Sequence, residues 1–206
     1  MSLAPLTTVI STMLQKLSEL FSARRAPAGY RPGITLEYLR RNLGVTGFAL
    51  TGPASGAFFL DESDVQVEVV EYTQAQLLMH LVMTEFSFSV PASEEGSARF
   101  DLHHSGSIRR TGLRCRQRTG APALLLRLQA RLQADHALHQ SLMVLDFKRL
   151  QFTLSGREWH VRLEHMGGSE VVNRMPAFRR YIALSGMQRE TLLNVLAGLQ
   201  RTLRML

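Results

Sequence analysis

Apolar residues recur along this chain with two alternating periods, and the changes of period mark its elements. From Leu3 to Phe21 the apolar positions are Leu3, Leu6, Val9, Ile10, Met13, Leu14, Leu17, Leu20 and Phe21, the wide stripe of an amphipathic helix. Pro27, Gly29, Pro32 and Gly33 break that pattern. A short helix is expected from Thr35, a good N-cap, to Leu43, with Gly44 as its stop. From Val45 the period becomes two. Val65, Val67 and Val69 predict a strand ending near Tyr72, and a second run from Leu77 to Val90 is closed by an expected loop, Pro91–Ser97. Phe100, Leu102 and His104 begin a third strand, which breaks near Gly106 and resumes over Leu113–Arg118. Helical spacing returns over Pro122–Leu145, where Asp135 would kink or recap the helix. Further strands are expected at Leu150–Leu154, Trp159–Leu163 and Arg180–Leu184. A final helix, Met187–Leu206, carries Leu192, Val195, Leu196, Leu199 and Leu203 on one stripe.

These elements predict an α+β fold, an antiparallel β-sheet with helices packed on one face, because helices are too few for a parallel βαβ repeat. Residues 1–33 form an N-terminal helical arm and linker, and 34–206 a single domain. The order of strands, then helix, occurs twice, over about 65–145 and 146–206. Phe100-Asp-Leu-His-His-Ser-Gly-Ser107 also compares with Val161-Arg-Leu-Glu-His-Met-Gly-Gly-Ser169. An internal duplication of that kind would put His104 and His165 in equivalent places.

Charge divides the chain. Residues 1–98 hold six basic and ten acidic side chains, a balance of −4, while 99–206 hold eighteen against seven, a balance of +11. Such asymmetry points to an anionic partner or to complementary halves of one fold. Of the basic residues only Lys16 and Lys148 are lysine, and arginine is the better fork for carboxylate and phosphate. An apolar fraction of 45% and a charged fraction of 20% describe an ordinary globular chain. No apolar run reaches the roughly 20 residues of a membrane-spanning helix. Thr7, Thr8, Ser11 and Thr12 interrupt any signal-peptide pattern, and the lone Cys115 cannot pair internally, so the expected location is cytoplasmic.

Candidate chemistry gathers in two polar segments. In His103-His-Ser-Gly-Ser-Ile-Arg-Arg-Thr-Gly112, the imidazole of His104, the hydroxyls of Ser105 and Ser107 and the forked cations of Arg109 and Arg110 would suit an anion, with backbone N–H groups as a nest. In His165-Met-Gly-Gly-Ser-Glu-Val-Val-Asn-Arg-Met-Pro176, Gly167 and Gly168 permit close backbone approach to a ligand, which Ser169, Glu170, Asn173 and Arg174 would orient. The competing readings are a solvated turn and a loop held by its own hydrogen bonds. Arg114, Arg116 and Arg118 alternate along a strand and therefore share a face, where like charges need a negative cover. That cover is phosphate, nucleic acid, or the chain's own Glu68, Glu71 and Glu85, and internal neutralisation or plain solvation of the arginines is the favoured reading. Arginine neighbours would lower the pKa of Cys115, although its side chain should face away from them. His136 and His139 lack a third convergent ligand, so no metal site is expected. Gly52-Pro-Ala-Ser-Gly56 misplaces the serine of a nucleophile elbow.

Gly29-Tyr-Arg-Pro-Gly33, His104–Gly112 and Gly167–Pro176 together resemble an uncharacterised bacterial family, a domain of unknown function, of about this length. The resemblance spans nearly the whole chain and implies a bacterial, single-domain protein. It brings no activity, cofactor or site. The leading functional expectation is a non-catalytic protein that binds an anionic small molecule or an acidic protein. An enzyme using His104 or His165 as acid/base with Glu170 as orienter is the alternative, and its cofactors are open. Nucleic-acid binding ranks third, because the acidic segment from Asp61 to Glu95 interrupts a continuous basic footprint. Oligomerisation through the N-terminal helix stays open.

Overall fold

The computed structural model of the chain describes residues 30–60, 65–76, 79–106, 110–174 and 177–206, the side chains at 174 and 177 excepted. The arm expected over Leu3–Phe21 lies outside the described residues. Helix α1 (Ile34–Leu43) follows Gly33, whose φ of 86° favours glycine. Thr35, the expected N-cap, sits inside the helix and donates its hydroxyl to Glu170 Oε2 at 3.1 Å. The cap comes from a strand instead. Glu71 accepts from the N–H of Gly33 at 3.2 Å and from that of Leu36 at 2.9 Å. Glycine has no side chain to offer there, and a carboxylate also suits the positive end of a helix. Gly44 ends the helix as expected, with φ 60° and its N–H on the Arg40 carbonyl.

The remaining elements are β1 (Ala49–Gly52), β2 (Ser55–Phe59), β3 (Gln66–Ala75), β4 (Met79–Ser105), β5 (Gly112–Thr119), α2 (Pro122–Ala134), α3 (His136–Val144), β6 (Phe147–Arg174), β7 (Ala177–Ile182) and α4 (Gly186–Arg204). All strand pairs are antiparallel, in the order β1-β2-β3-β4-β6-β7, with β5 added to β4. The expected loop Pro91–Ser97 is not a loop. β4 runs through it, and the register against β6 slips between Pro91 and Gly96, near Gly156 at φ 63°. Likewise β6 continues through the polar segment after His165, with its extra residues absorbed by a register shift opposite Val82–Thr84. Turn-forming residues here mark irregularities that bend a strand rather than end it. The bends curl the sheet so far that the start of β6 meets β3 and the first half of β4. Lys148 Nζ donates to Gln74 Oε1, and Arg149 Nη2 to Glu85 Oε2 at 2.7 Å.

The order of long strand, short strand and helix does occur twice, as β4-β5-α2 and β6-β7-α4. Ser105 pairs with Gly112 at the end of one hairpin, and Arg174 with Ala177 at the end of the other.

Helices cover one face. Asp135 divides the expected long helix, ending α2 and capping α3 through Oδ1, which accepts from Leu138 N–H at 2.9 Å. A capping box of Ser185 and Gln188 starts α4, whose Leu192, Val195, Leu196, Leu199 and Leu203 are fully buried. A Cβ on Gly198 would lie 2.9 Å from Leu138, so glycine lets α4 approach α3 closely. The core beneath joins Phe86, Phe100, Phe152 and Trp159 from both long strands.

Candidate functional site

Alternation decides which β5 side chains face the helices. Cys115, opposite Leu102, turns into the core, and Arg114 and Arg116, opposite His103 and Asp101, stand on the other face. Arg118 joins them, donating from Nε to Asp101 Oδ2 at 2.5 Å, while Gln151 Nε2 donates to Oδ1 at 2.8 Å. Burial raises the Asp101 carboxyl, but Gln151, Arg118 and the nearby Arg99 together hold it below its ordinary value. The expected internal cover does not reach this strand. Glu71 caps α1, and Glu85 is taken by Arg149. Arg114 and Arg116 are exposed and have no carboxylate within ion-pair distance among the described residues. Asp101 and Arg99 escaped the sequence reading, although Arg99, Asp101 and His103 alternate with Phe100 and Leu102 in plain view.

A groove of about 500 Å³ continues from this face, where the curled ends of the sheet meet. Tyr72 and Gln74 of β3, His103 of β4, Arg118 of β5 and Lys148, Arg149 and Glu164 of β6 line it. Most of its charges are paired, Arg118 with Asp101 and Arg149 with Glu164, while Lys148 donates to the neutral Gln74. Glu85 and Glu164 lie directly opposite one another across the β4/β6 ladder, a repulsive pair that Arg149 bridges. Burial, with Glu164 as hydrogen-bond partner, keeps the Tyr72 hydroxyl protonated well above the usual tyrosine range.

The two polar segments named from sequence use most of their described side chains inside the fold. Arg110 reaches over the C-terminal end of α3, donating to the carbonyls of Met143, Val144 and Leu145 at 3.2, 3.0 and 3.4 Å and to Asp146. A cation at the negative end of a helix is stabilising. His104 Nε2 bonds the Leu142 carbonyl at 2.9 Å, its ring lies 4.3 Å from that of Phe147, and burial lowers its pKa. Ser105 bonds Thr111 at the base of the turn. Ser107 and Arg109 lie outside the described residues.

In the second segment, the buried Glu170 takes both forks of Arg179, at 2.9 and 2.8 Å, as well as Thr35. Ser169 is buried on the Met166 carbonyl, and Asn173 stands between Met79 and Phe178 in register. The backbone of Arg174 ends β6, and its side chain lies outside the description. The close approach that Gly167 and Gly168 permit is made by the chain itself. A Cβ at Gly168 would meet Leu39 at 2.7 Å, and one at Gly167 would meet Leu184 at 2.5 Å. His165 is fully buried and its pKa is lowered by burial. Nδ1 accepts from Gly167 N–H at 2.9 Å, and Nε2 has no partner among the described residues.

One further arrangement was missed. Ser89 Oγ lies 2.7 Å from His160 Nδ1, and Glu158 lies 3.5 Å from Nε2. The order resembles that of an activated hydroxyl, but Glu158 and His160 stand half in solvent. The pair sits in a regular ladder, without the turn or helix end that would aim free N–H groups at a reacting carbonyl. Cys115 also departs from expectation, since burial, aided by Asp101, pushes its thiol up to about 11. Among the described residues no cluster of three or more His, Cys, Asp or Glu could hold a metal, and no helix is long and apolar enough to cross a membrane.

Fold and site thus define an α+β protein with a curled antiparallel sheet and a basic face on β5. The chain belongs to the family described as a protein of unknown function, DUF3156, whose model matches residues 41–203. No curated protein and no solved structure matches it.

Proposed function

We propose that the protein is a non-catalytic binding protein for an anionic partner, held on the basic face formed by β5 and the adjoining ends of β4 and β6. One observation carries this reading. Arg99, Arg114, Arg116 and Arg118 gather around the single carboxylate Asp101, which Arg118 and Gln151 already bond, and Arg114 and Arg116 make no ion pair among the described residues. Adjacent unneutralised guanidinium groups repel one another unless an anion covers them. Ser169, Glu170 and Arg110 already have partners inside the fold, which favours β5 over the two polar turns named from sequence.

The test uses the full chain and inorganic tripolyphosphate as probe, at low salt. At about 100 times its dissociation constant a specific ligand stabilises by about 2.7 kcal/mol. For a chain of this size that raises Tm by roughly 5–10 °C. The double variant Arg114→Ala/Arg116→Ala should lose the shift, and Arg131→Ala/Arg157→Ala should keep it. Equal stabilisation of both variants excludes β5 as the binding surface.

A further inference from the structure

β5 is more than a charged surface, because one of its edges is open. It pairs with β4 alone, and no backbone hydrogen bond beyond that ladder involves Gly112–Thr119 among the described residues. An open edge is a template for another strand, and bare edges are usually kept short, bent or charged. Here Gly112–Gln117 stay in continuous register on β4 before a bulge at Arg118, and Arg114 and Arg116 project from one face of the sheet rather than across the edge. Resting on the anion-binding reading above, we propose that the partner is an extended acidic polypeptide segment. It adds as a strand to the free edge of β5 and sets its carboxylates beside Arg114 and Arg116.

The geometry suits that occupant. Residues two apart on a strand are separated by about 6.6–6.8 Å on one face, so carboxylates at alternate positions of an added strand fall into step with Arg114 and Arg116. Directly opposed side chains of an antiparallel pair have Cβ atoms about 4.5–5.5 Å apart, within reach of a forked arginine–carboxylate contact. Main-chain bonds then supply affinity, and the alternating charges supply register and choice of partner. A second copy of this chain fits poorly, because two-fold pairing of β5 with itself brings arginine opposite arginine. Single-stranded nucleic acid needs aromatic platforms beside its phosphates. The neighbours of the arginines on this face are Arg99, Asp101, His103, Gln151 and Thr153, none of them Phe, Tyr or Trp.

The test changes the ligand, so that folding of the protein is not at issue. A fluorescent eight-residue peptide of alternating Glu and Val is titrated with the full chain, alongside two analogues, one N-methylated at every Glu and one at every Val. Only one edge of an added strand faces β5. One analogue should therefore weaken by about tenfold or more while the other binds like the parent. The variant Arg114→Glu/Arg116→Glu should bind none of them. Equal binding of both analogues overturns strand addition and leaves the anion reading intact. Tighter, arginine-dependent binding of an oligothymidylate overturns the peptide in favour of single-stranded nucleic acid. Failure of peptide, oligothymidylate and tripolyphosphate alike overturns both readings.

Discussion

Glu170 offers the sharpest test of whether the second polar segment is structural or chemical. The residue is 5% exposed, and its carboxylate accepts from Arg179 Nε at 2.9 Å, Arg179 Nη2 at 2.8 Å and Thr35 Oγ1 at 3.1 Å, tying β6 to β7 and to α1. Glu170→Gln keeps the volume and one acceptor but removes the charge and turns an NH₂ group towards guanidinium or hydroxyl. Removing one partner of a buried ion pair costs roughly 3–5 kcal/mol. The Arg179 side chain is 36% exposed and can regain water, and glutamine retains one acceptor, so the expected loss is nearer about 2 kcal/mol. In a chain of 206 residues that lowers Tm by roughly 4–8 °C. Thermal and urea unfolding of Glu170→Gln and Thr35→Val, singly and together, read the effect. The Thr35 cost should shrink in the Glu170→Gln background, because the two share one bond. A Glu170→Gln protein as stable as the parent, or more stable, refutes this account. It would mark the carboxylate as a group kept for a ligand at the expense of stability.

Three smaller outcomes follow from the same contacts. Asp135→Ala should cost about 1 kcal/mol by removing the cap of α3, and an unchanged Tm would deny that capping role. His104 and His165 have pKa values lowered mainly by burial, so on the acid side of about 6.5 the unfolded chain binds protons that the folded one refuses. Stability should therefore fall as pH drops from 7.5 towards 5, above the range in which Asp101 and Glu94, both held low, begin to protonate. A flat urea midpoint across that window contradicts the buried neutral histidines. With its thiol at about 11, Cys115 should resist Ellman's reagent at pH 8 until the protein unfolds. Prompt stoichiometric reaction of the native protein would show a different environment.

Periodicity exposed the strands and helices because burial follows it directly. Alternation placed Cys115 inward and the arginines outward, and the α4 stripe is the one that packs. Strand ends were harder to read. Pro91, Gly96 and Gly156 look like turn residues, and only pairing between segments about 60 residues apart reveals them as sites where two long strands bend together. The cap of α1 was hidden for the same reason, since Glu71 lies 35 residues from the N–H it satisfies. Local sequence advertises a threonine; tertiary structure supplies a carboxylate.

The charge asymmetry divides in two once partners are assigned. Part of it is complementarity within one fold. Arg149 answers Glu85 and Glu164, Arg162 stands 3.9 Å from Glu85, and Arg127 clasps Glu94 at 2.9 and 2.7 Å, so among the described residues three arginines of the second half face acids of the first. Arg110 and Arg179 serve a helix end and a buried carboxylate. The positive charge left on the β4/β5 face stands at Arg114 and Arg116, with Arg99 nearby and Asp101 already taken by Arg118 and Gln151. Internal pairing would have needed Glu68, Glu71 or Glu85 near β5, and all three belong to β3 or the first half of β4, where β5 does not pair. The register that builds the sheet therefore pairs β5 with the second half of β4 rather than with the acids of β3 and early β4, and Arg114 and Arg116 are left without an ion pair among the described residues.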